Sequence, residues 1–148
     1  MLFRSKNRMQ GNDFVQSRMS VKGVRCYGCH DVHGTPNEAD LRLPGNAVCL
    51  QCHSPQLQPG PPGTIEHHTQ HKPGSEGSKC VACHMPQIAR TVGNVSVRSH
   101  TFNFISPVTT EQLGVPNACT SCHTDRSTAW AIDALKSWPS VSPWRVAR

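Results

Sequence analysis

The sequence lacks a long hydrophobic run. No window approaches the roughly 20 apolar residues that a membrane-spanning helix needs, so we expect no transmembrane segment. The opening stretch MLFRSKNRMQGNDF is basic but has no apolar region of the kind that a secretory signal contains. Hydrophobic residues make up 36% of the 148 residues, and eight of them are cysteines. Something other than side chains is therefore expected to fill the interior of one compact unit.

Aromatic residues and clustered positive charge are also scarce. The formal net charge is +6, but no two Lys or Arg residues are adjacent, and the chain has four Phe and one Tyr. A nucleic-acid surface needs grouped cations and aromatic side chains for stacking. We therefore expect no nucleic-acid partner. The 12 prolines and 11 glycines predict much loop, which a short chain can hold rigid only with metals, disulfides or cofactors.

What the sequence does contain is a repeat. Cys-x-x-Cys-His begins at residues 26, 49, 80 and 119. Two cysteines at i and i+3 and a histidine at i+4 share one face of a helical turn. This spacing is typical of c-type haem, in which the two sulfurs form thioether bonds and the histidine binds iron. The predicted attachment residues are Cys26, Cys29, Cys49, Cys52, Cys80, Cys83, Cys119 and Cys122, and the predicted proximal iron ligands are His30, His53, His84 and His123.

Other chemistries of cysteine explain the pattern less well. The chain has nine histidines. If they were placed at random, the chance that all four Cys-x-x-Cys pairs are directly followed by a histidine would be on the order of 10⁻⁵. Zinc sites would give no reason for a histidine after every pair. A disulfide framework would use eight cysteines as well, but all eight fall within the repeated motif.

Five histidines remain once the proximal ligands are assigned. His33 lies too close to His30 to reach the far face of the same haem, so we predict that it serves a neighbouring haem. His100 is a second predicted distal ligand. In the cluster EHHTQH we favour His68 and His71, which would share a helical face at i and i+3, although His67 could replace either.

Local signals give a coarse secondary structure. Asn46, Ser78 and Asn117 precede their motifs at positions where a side-chain oxygen can cap a helical turn. The apolar spacing predicts a helix at about 125–138 and a weaker one at about 11–21, in which Phe14, Val15 and Met19 would pack near the first haem. Segment 54–63 predicts a surface loop because it holds four prolines. Stretch 90–105 could form a strand or an extended arm.

Residues 26–53, which read CYGCHDVHG and then CLQCH, resemble the doubled Cys-x-x-Cys-His unit of multihaem cytochromes c. In that family the histidine after the first motif commonly ligates the partner haem, which implies the same role for His33. The stretch from GSKCVACHMP through SHTF to PNACTSCHTD is similar to the C-terminal half of larger multihaem cytochromes. These include the tetrahaem carriers of nitrification and the pentahaem and octahaem reductases.

Together these observations predict a small, mainly α-helical cytochrome with extensive loop, no large sheet and short helices around four covalently bound haems. We expect one domain, 1–148, made of a lead-in helix or arm (1–22), the doubled unit (23–56), a loop with the third haem unit (57–105) and a fourth haem unit with a C-terminal helix (106–148). The resemblance also predicts a truncated piece or module of a longer cytochrome.

The predicted function is electron transfer through mostly bis-histidine, low-spin haems, because closed axial positions leave no iron open to substrate. The alternative is a fragment or subunit of a nitrite or hydroxylamine type reductase with one open haem. We expect redox protein partners, peripheral contact with a membrane complex or assembly into an oligomer or filament, and a periplasmic or extracellular location.

Overall fold

The computed structural model describes residues 9–53, 64–87, 89–90, 96–138 and 145–146. Within these ranges the regular structure is mainly short α-helices, which are α1 (Met9–Val15), α2 (Arg18–Val21), α3 (Ala47–Leu50), α4 (Ile65–Thr69), α5 (Cys80–His84), α6 (Pro107–Leu113), α7 (Ala118–Cys122) and α8 (Thr128–Lys136). Single 3₁₀ turns form at Cys26–Gly28, Glu38–Asp40 and Glu76–Ser78. The predicted fold class, mainly α with extensive loop, is confirmed.

The sheet structure of the described residues is one small ribbon. Strand β1 (Ala89–Arg90) pairs antiparallel with β2 (Ser96–Val97), with Ala89 opposite Val97. The ribbon lies at the start of the stretch in which a strand or arm was predicted. The predicted loop at 54–63 and the first eight residues of the lead-in segment lie outside the described residues. No helix in the described ranges is long and apolar enough to cross a bilayer.

The best-packed region is the contact between α6 and α8. Ile132 of α8 is fully buried, Leu135 is 3% exposed, and Val108 of α6 is 4% exposed. Helix α8 begins where the Ser127 hydroxyl accepts a hydrogen bond from the Trp130 N–H (3.1 Å), so it starts a few residues later than the predicted 125. This helix places the last motif against an apolar surface, since α7 contacts α8.

Helix α6 was not predicted from the sequence. Its start has a recognisable signal, because Ser106 caps the Val108 N–H (3.2 Å) and Pro107 occupies the first turn, where no N–H partner is needed. It ends at Gly114, whose φ of +68° is in the left-handed region that favours glycine. Seven residues carry too short an apolar pattern to stand out in a sequence.

The predicted N-terminal helix is interrupted. Ser17, which is 1% exposed, caps the Ser20 N–H (3.1 Å) and starts α2 as a separate helix. Phe14 packs edge-on against Phe102 with ring centres 6.3 Å apart. Val15 is 65% exposed to the space beyond the protein's own atoms, and its packing near the first haem stays a prediction.

The capping prediction is confirmed for Asn117, whose side chain accepts from the Thr120 N–H (3.0 Å). It is wrong for Ser78, whose hydroxyl donates to the Ser75 carbonyl (2.7 Å). It is also wrong for Asn46, which makes no cap of its own helix. The Asn46 side chain instead donates to the Ser78 carbonyl (2.9 Å) and accepts from the Cys80 N–H (2.9 Å). Asn46 therefore ties the second motif to the third.

Candidate functional site

Each motif lies on a short helical turn. The first lies on the 3₁₀ turn Cys26–Gly28, and the others begin in or on α3, α5 and α7. The histidine N–H donates to the carbonyl of the first cysteine of its motif, at 2.9 Å in His30, 2.9 Å in His53 and 2.8 Å in His123. This backbone closure brings both cysteines and the histidine to one side of the turn.

The sulfurs of consecutive motifs lie close together. The Cys49 thiol hydrogen-bonds to the Cys80 sulfur, which raises the pKa of Cys49 and lowers the pKa of Cys80 to about 7. Burial raises the pKa of Cys29, and the nearby charge of Cys52 adds to that rise. The first and second motifs are therefore neighbours, as are the second and third.

The third and fourth motifs adjoin in the same way. Burial raises the pKa of Cys83 to about 11, and charge on Cys119 and Cys122 contributes to the rise. Helix α5 also contacts α7. All eight cysteines are free thiols. Each motif therefore adjoins the next along the chain, in the order of the sequence.

Three pairs of histidine rings lie close together, and each pair joins a motif histidine to one of the predicted distal histidines. His30 and His100 have ring centres 6.4 Å apart and ring planes at 28°. His68 and His84 are 6.2 Å apart at 10°. His71 and His123 are 6.1 Å apart at 41°.

This spacing fits an iron between two imidazoles. A ring nitrogen lies about 2.0 Å from a bound metal and about 1.1 Å from its ring centre, so two rings on opposite sides of one metal have centres about 6.2 Å apart. Both ring planes then contain the bond axis, so the angle between them is free. The observed separations of 6.1 to 6.4 Å match this value. The residues present therefore fit the haem that the motifs predict.

Backbone carbonyls orient several of these rings. The Nδ1 atom lies 2.9 Å from the Ala39 oxygen in His30, 2.5 Å from the Thr69 oxygen in His71 and 3.1 Å from the Arg98 oxygen in His100. A carbonyl only accepts, so Nδ1 carries the proton and donates. This leaves the Nε2 lone pair free to bind a metal, which is the usual arrangement around ligating histidines.

His84 is partly buried, and its surroundings shift its pKa. Burial lowers its pKa, positive charge on His68 lowers it further, and a hydrogen bond with the Phe102 backbone acts in the opposite direction. A lowered pKa keeps the ring neutral, and a neutral ring is the form that can bind a metal. The Phe104 ring centre lies 6.4 Å from that of His84.

The fourth motif is enclosed by aromatic side chains and by one glycine. Trp130 packs on His123 with ring centres 5.0 Å apart, and Trp138 approaches His71 edge-on at 6.5 Å. A Cβ added to Gly77 would lie 2.1 Å from the Cδ2 atom of His71. The backbone at Gly77 therefore comes so close to the His71 ring that no larger residue fits without displacing it.

The remaining histidines are exposed. His33, His53 and His67 make none of the ring contacts found among the described residues. The Asp31 carboxylate accepts the backbone N–H of His33 (3.0 Å). The charge of His53 contributes to the lowered pKa of His84, so His53 lies near the third motif.

The geometric reason for choosing His68 and His71 together is wrong. Helix α4 ends at Thr69, and Gln70 has a left-handed φ of +55°, so the two histidines do not share a helical face. They instead face different motif histidines. Within the described ranges, no group of three or more His, Cys, Asp or Glu side chains could hold a metal ion by themselves.

Sequence reasoning missed Gly77 and Trp130 as residues that hold the site, and it missed the contact of Asn46 with the third motif. The contacts of Asn46 reach residues 32 and 34 positions away, whereas Gly77 and Trp130 meet His71 and His123 only because of how the intervening turns fold. The aromatic content after the fourth motif was the one available signal, since Trp130 lies within α8 and Trp138 follows it.

Residues 19–58 match the family model of the doubled CXXCH motif. Among solved structures, the chain is similar to the one titled "Crystal Structure of Outer Cell Wall Cytochrome OcwA", with a TM-score of 0.56 and 21% sequence identity. The match covers 90% of this chain and 38% of that chain, so the present chain spans well under half of that protein's length. At this identity the likeness concerns the fold. No curated protein matches the sequence.

Proposed function

We propose that this chain, which has the doubled motif and the fold of a multihaem c-type cytochrome, carries four haems and conducts electrons between redox proteins. A haem supplies reversible one-electron oxidation and reduction of its iron when bound. The chain's own residues would hold it through two cysteine sulfurs and a histidine in each motif. The single observation that carries the proposal is the set of three facing histidine pairs at metal-binding separation.

The proposed axial ligand pairs are His30 with His100, His84 with His68, and His123 with His71. Two imidazoles on one iron close both axial positions, which favours electron transfer over binding of a substrate. The carbonyl partners of His30, His71 and His100 support this role, because they keep each ring in the tautomer that can ligate. The motif histidine that remains is His53. We propose that His33 would bind the same haem iron as His53, as the resemblance to doubled units implies.

The contacts between consecutive motifs support a conducting role. The Cys49 and Cys80 sulfurs are within hydrogen-bond reach, and Cys83 lies near the cysteines of the fourth motif. Haems attached at adjoining sulfurs would lie close to one another in the order one, two, three, four. Electrons could then pass along the chain of haems without a mobile carrier.

The second candidate is a fragment or subunit of a multihaem reductase with one open haem. It is favoured by His53, which is exposed and faces no other histidine ring among the described residues. If His33 does not ligate, the iron bound by His53 would be the open one. The haem attached at Cys49 and Cys52 is therefore where the two candidates differ.

A haem count with electron paramagnetic resonance of the oxidised holoprotein tests the proposal. We expect four haems per chain and only low-spin ferric signals, because two histidines give a strong ligand field. The pair at 10° and the pair at 41° should give distinguishable low-spin signals, since the angle between ligand planes sets the anisotropy of g. A high-spin fraction of about one haem in four would favour the reductase candidate.

A periplasmic or extracellular location is proposed on the fold likeness to a cytochrome whose title places it in the outer cell wall. Partners are proposed to be redox proteins. Assembly into an oligomer or filament and peripheral contact with a membrane complex are also proposed; assembly is supported by the exposed His67, which has no haem in this assignment. Size-exclusion chromatography of the holoprotein with light scattering checks the oligomer.

A further inference from the structure

The N-terminal helix α1 bonds to the segment that carries His100. One carboxylate oxygen of Asp13 accepts hydrogen bonds from the Ser99 hydroxyl (2.9 Å) and from the backbone N–H of His100 (3.1 Å). These partners are 86 and 87 residues away in the sequence. Hydrogen bonds to a charged acceptor are roughly twice as strong as those between neutral groups. The Asp13 carboxylate therefore binds the backbone directly at His100.

The carboxylate also sets the direction of a small hydroxyl network. Ser99 has one hydroxyl proton, and Asp13 can only accept, so that proton goes to Asp13. In the Ser99–Thr101 hydroxyl contact (3.1 Å) the Thr101 hydroxyl must then donate. The Ser99 oxygen also accepts the Thr101 N–H (3.3 Å). The turn around His100 thus depends on an acceptor that only α1 supplies.

Aromatic packing adds a second contact between the same two segments. Phe14 meets Phe102 edge-on, and Phe102 meets the His100 ring edge-on at 5.9 Å. Phe102 has a φ of +55°, a left-handed conformation that a bulky residue adopts only where its surroundings hold it. The His100 ring held in this way faces His30 at 6.4 Å.

We propose that Asp13 is a positioning residue for the sixth ligand of the first haem. Its carboxylate holds the turn at Ser99 and His100, so that the His100 ring stays opposite His30. This inference rests on the His30–His100 ligand pair of the proposed function. Without the carboxylate the turn would lose its acceptor, and His100 would be held less firmly opposite His30 as a ligand of a bound haem.

The test is carbon monoxide binding to the reduced holoprotein, because this gas binds a bis-histidine haem only after the distal histidine dissociates. We expect Asp13→Ala to bind carbon monoxide at one haem at least about tenfold faster than wild type, because the turn loses both hydrogen bonds to the carboxylate and one such bond alone corresponds to about tenfold. Asp13→Asn keeps an oxygen acceptor without charge, so its rate should lie between the two. Asp133→Ala removes an exposed acid of α8 that pairs with Lys136 and should leave the rate unchanged.

His100→Ala separates this inference from the proposed function. It should make one haem bind carbon monoxide rapidly and give a high-spin signal. If His100→Ala binds carbon monoxide at the wild-type rate and shows no high-spin signal, the His30–His100 ligand pair is wrong and the inference about Asp13 is wrong as well. If His100→Ala opens one haem but Asp13→Ala keeps the wild-type rate, the role of Asp13 alone is overturned. Should Asp13→Ala fail to fold, Asp13→Asn decides, and a wild-type rate for that variant overturns the role.

Discussion

At the scale of single residues, the site is a set of imidazole pairs whose members come from different parts of the chain. A motif histidine is held by its own helical turn, but its partner is held by backbone carbonyls and by packing elsewhere. His100 and His71 each donate Nδ1–H to a carbonyl two residues earlier. The position of each distal ring therefore depends on the shape of its own turn, although the ring pairs with a histidine of a motif elsewhere in the chain.

The pairing of His68 with His84 predicts a contrast between two adjacent histidines. His68→Ala should leave the iron bound by His84 five-coordinate and convert about a quarter of the haem signal to high spin. His67→Ala removes the exposed neighbour in the same helix and should leave the spectrum unchanged. Electron paramagnetic resonance of both oxidised variants makes the comparison. A high-spin signal from His67→Ala alone would reverse the assignment.

Gly77 predicts a second effect at this scale. Because an added Cβ would lie 2.1 Å from the His71 ring, Gly77→Ala should displace that ring and destabilise the fold by about 1–3 kcal/mol. The low-spin signal of the His71–His123 pair should change with it. Gly11→Ala is the matched control, since its Cβ would meet nothing within 4 Å. Chemical denaturation and electron paramagnetic resonance measure the two effects, and an unchanged signal in Gly77→Ala would contradict the close contact.

At the scale of elements, two side chains each hold a turn that belongs to an element other than their own. Asn46 lies at the start of α3 but caps the Cys80 N–H at the start of α5. Asp13 of α1 holds the turn at His100. Helices of four or five residues are not stable alone, because nucleation costs more free energy than so few hydrogen bonds contribute. Local caps together with these hydrogen bonds between elements keep such short turns in place.

The contact between α6 and α8 predicts where side-chain packing matters most. Leu135→Ala, at a side chain 3% exposed, should lower the free energy of unfolding by about 2–5 kcal/mol through lost burial and a cavity. Leu113→Ala, at a side chain 71% exposed, should change it by less than about 0.5 kcal/mol. Denaturant titration followed by circular dichroism compares them. Equal effects in the two variants would refute this packing as the source of stability.

At the scale of the whole molecule, the apolar core is small. Among the described residues, the buried hydrophobic side chains are Val48, Val108, Ala131, Ile132 and Leu135. All but Val48 belong to α6 and α8. The regions around the first three motifs therefore have little protein interior of their own, and the proposed haems would supply the missing apolar contacts.

This distribution predicts that the polypeptide without haem does not fold as a unit. A variant with all eight motif cysteines replaced by alanine should show no cooperative unfolding transition, because too little apolar area is buried to offset the chain entropy. Hydrogen exchange with mass spectrometry should find protection concentrated in α6 and α8. A cooperative unfolding transition with hydrogen-exchange protection across α3 and α5 would contradict this prediction, because it would show that the side chains fold the chain without haem.

Much of the site could be predicted from sequence because the motif is local. Cysteines at i and i+3 and a histidine at i+4 meet within one turn whatever the rest of the fold does. The C-terminal helix was predictable for a similar reason, since Ala131 and Leu135 recur at helical spacing. Helix α6, the broken helix at Ser17 and the second role of Asn46 were not, because tertiary contacts set them.

The sequence by itself determined which cysteines and histidines can hold c-type haem, since covalent attachment needs only spacing along one turn. It also determined a mainly helical, loop-rich chain with little apolar side chain. Tertiary structure decided which distant histidine faces which motif, and that each motif adjoins the next. Those relations depend on loops whose ends are fixed by hydrogen bonds and packing between remote segments, such as Asp13 with His100, and no local pattern encodes them.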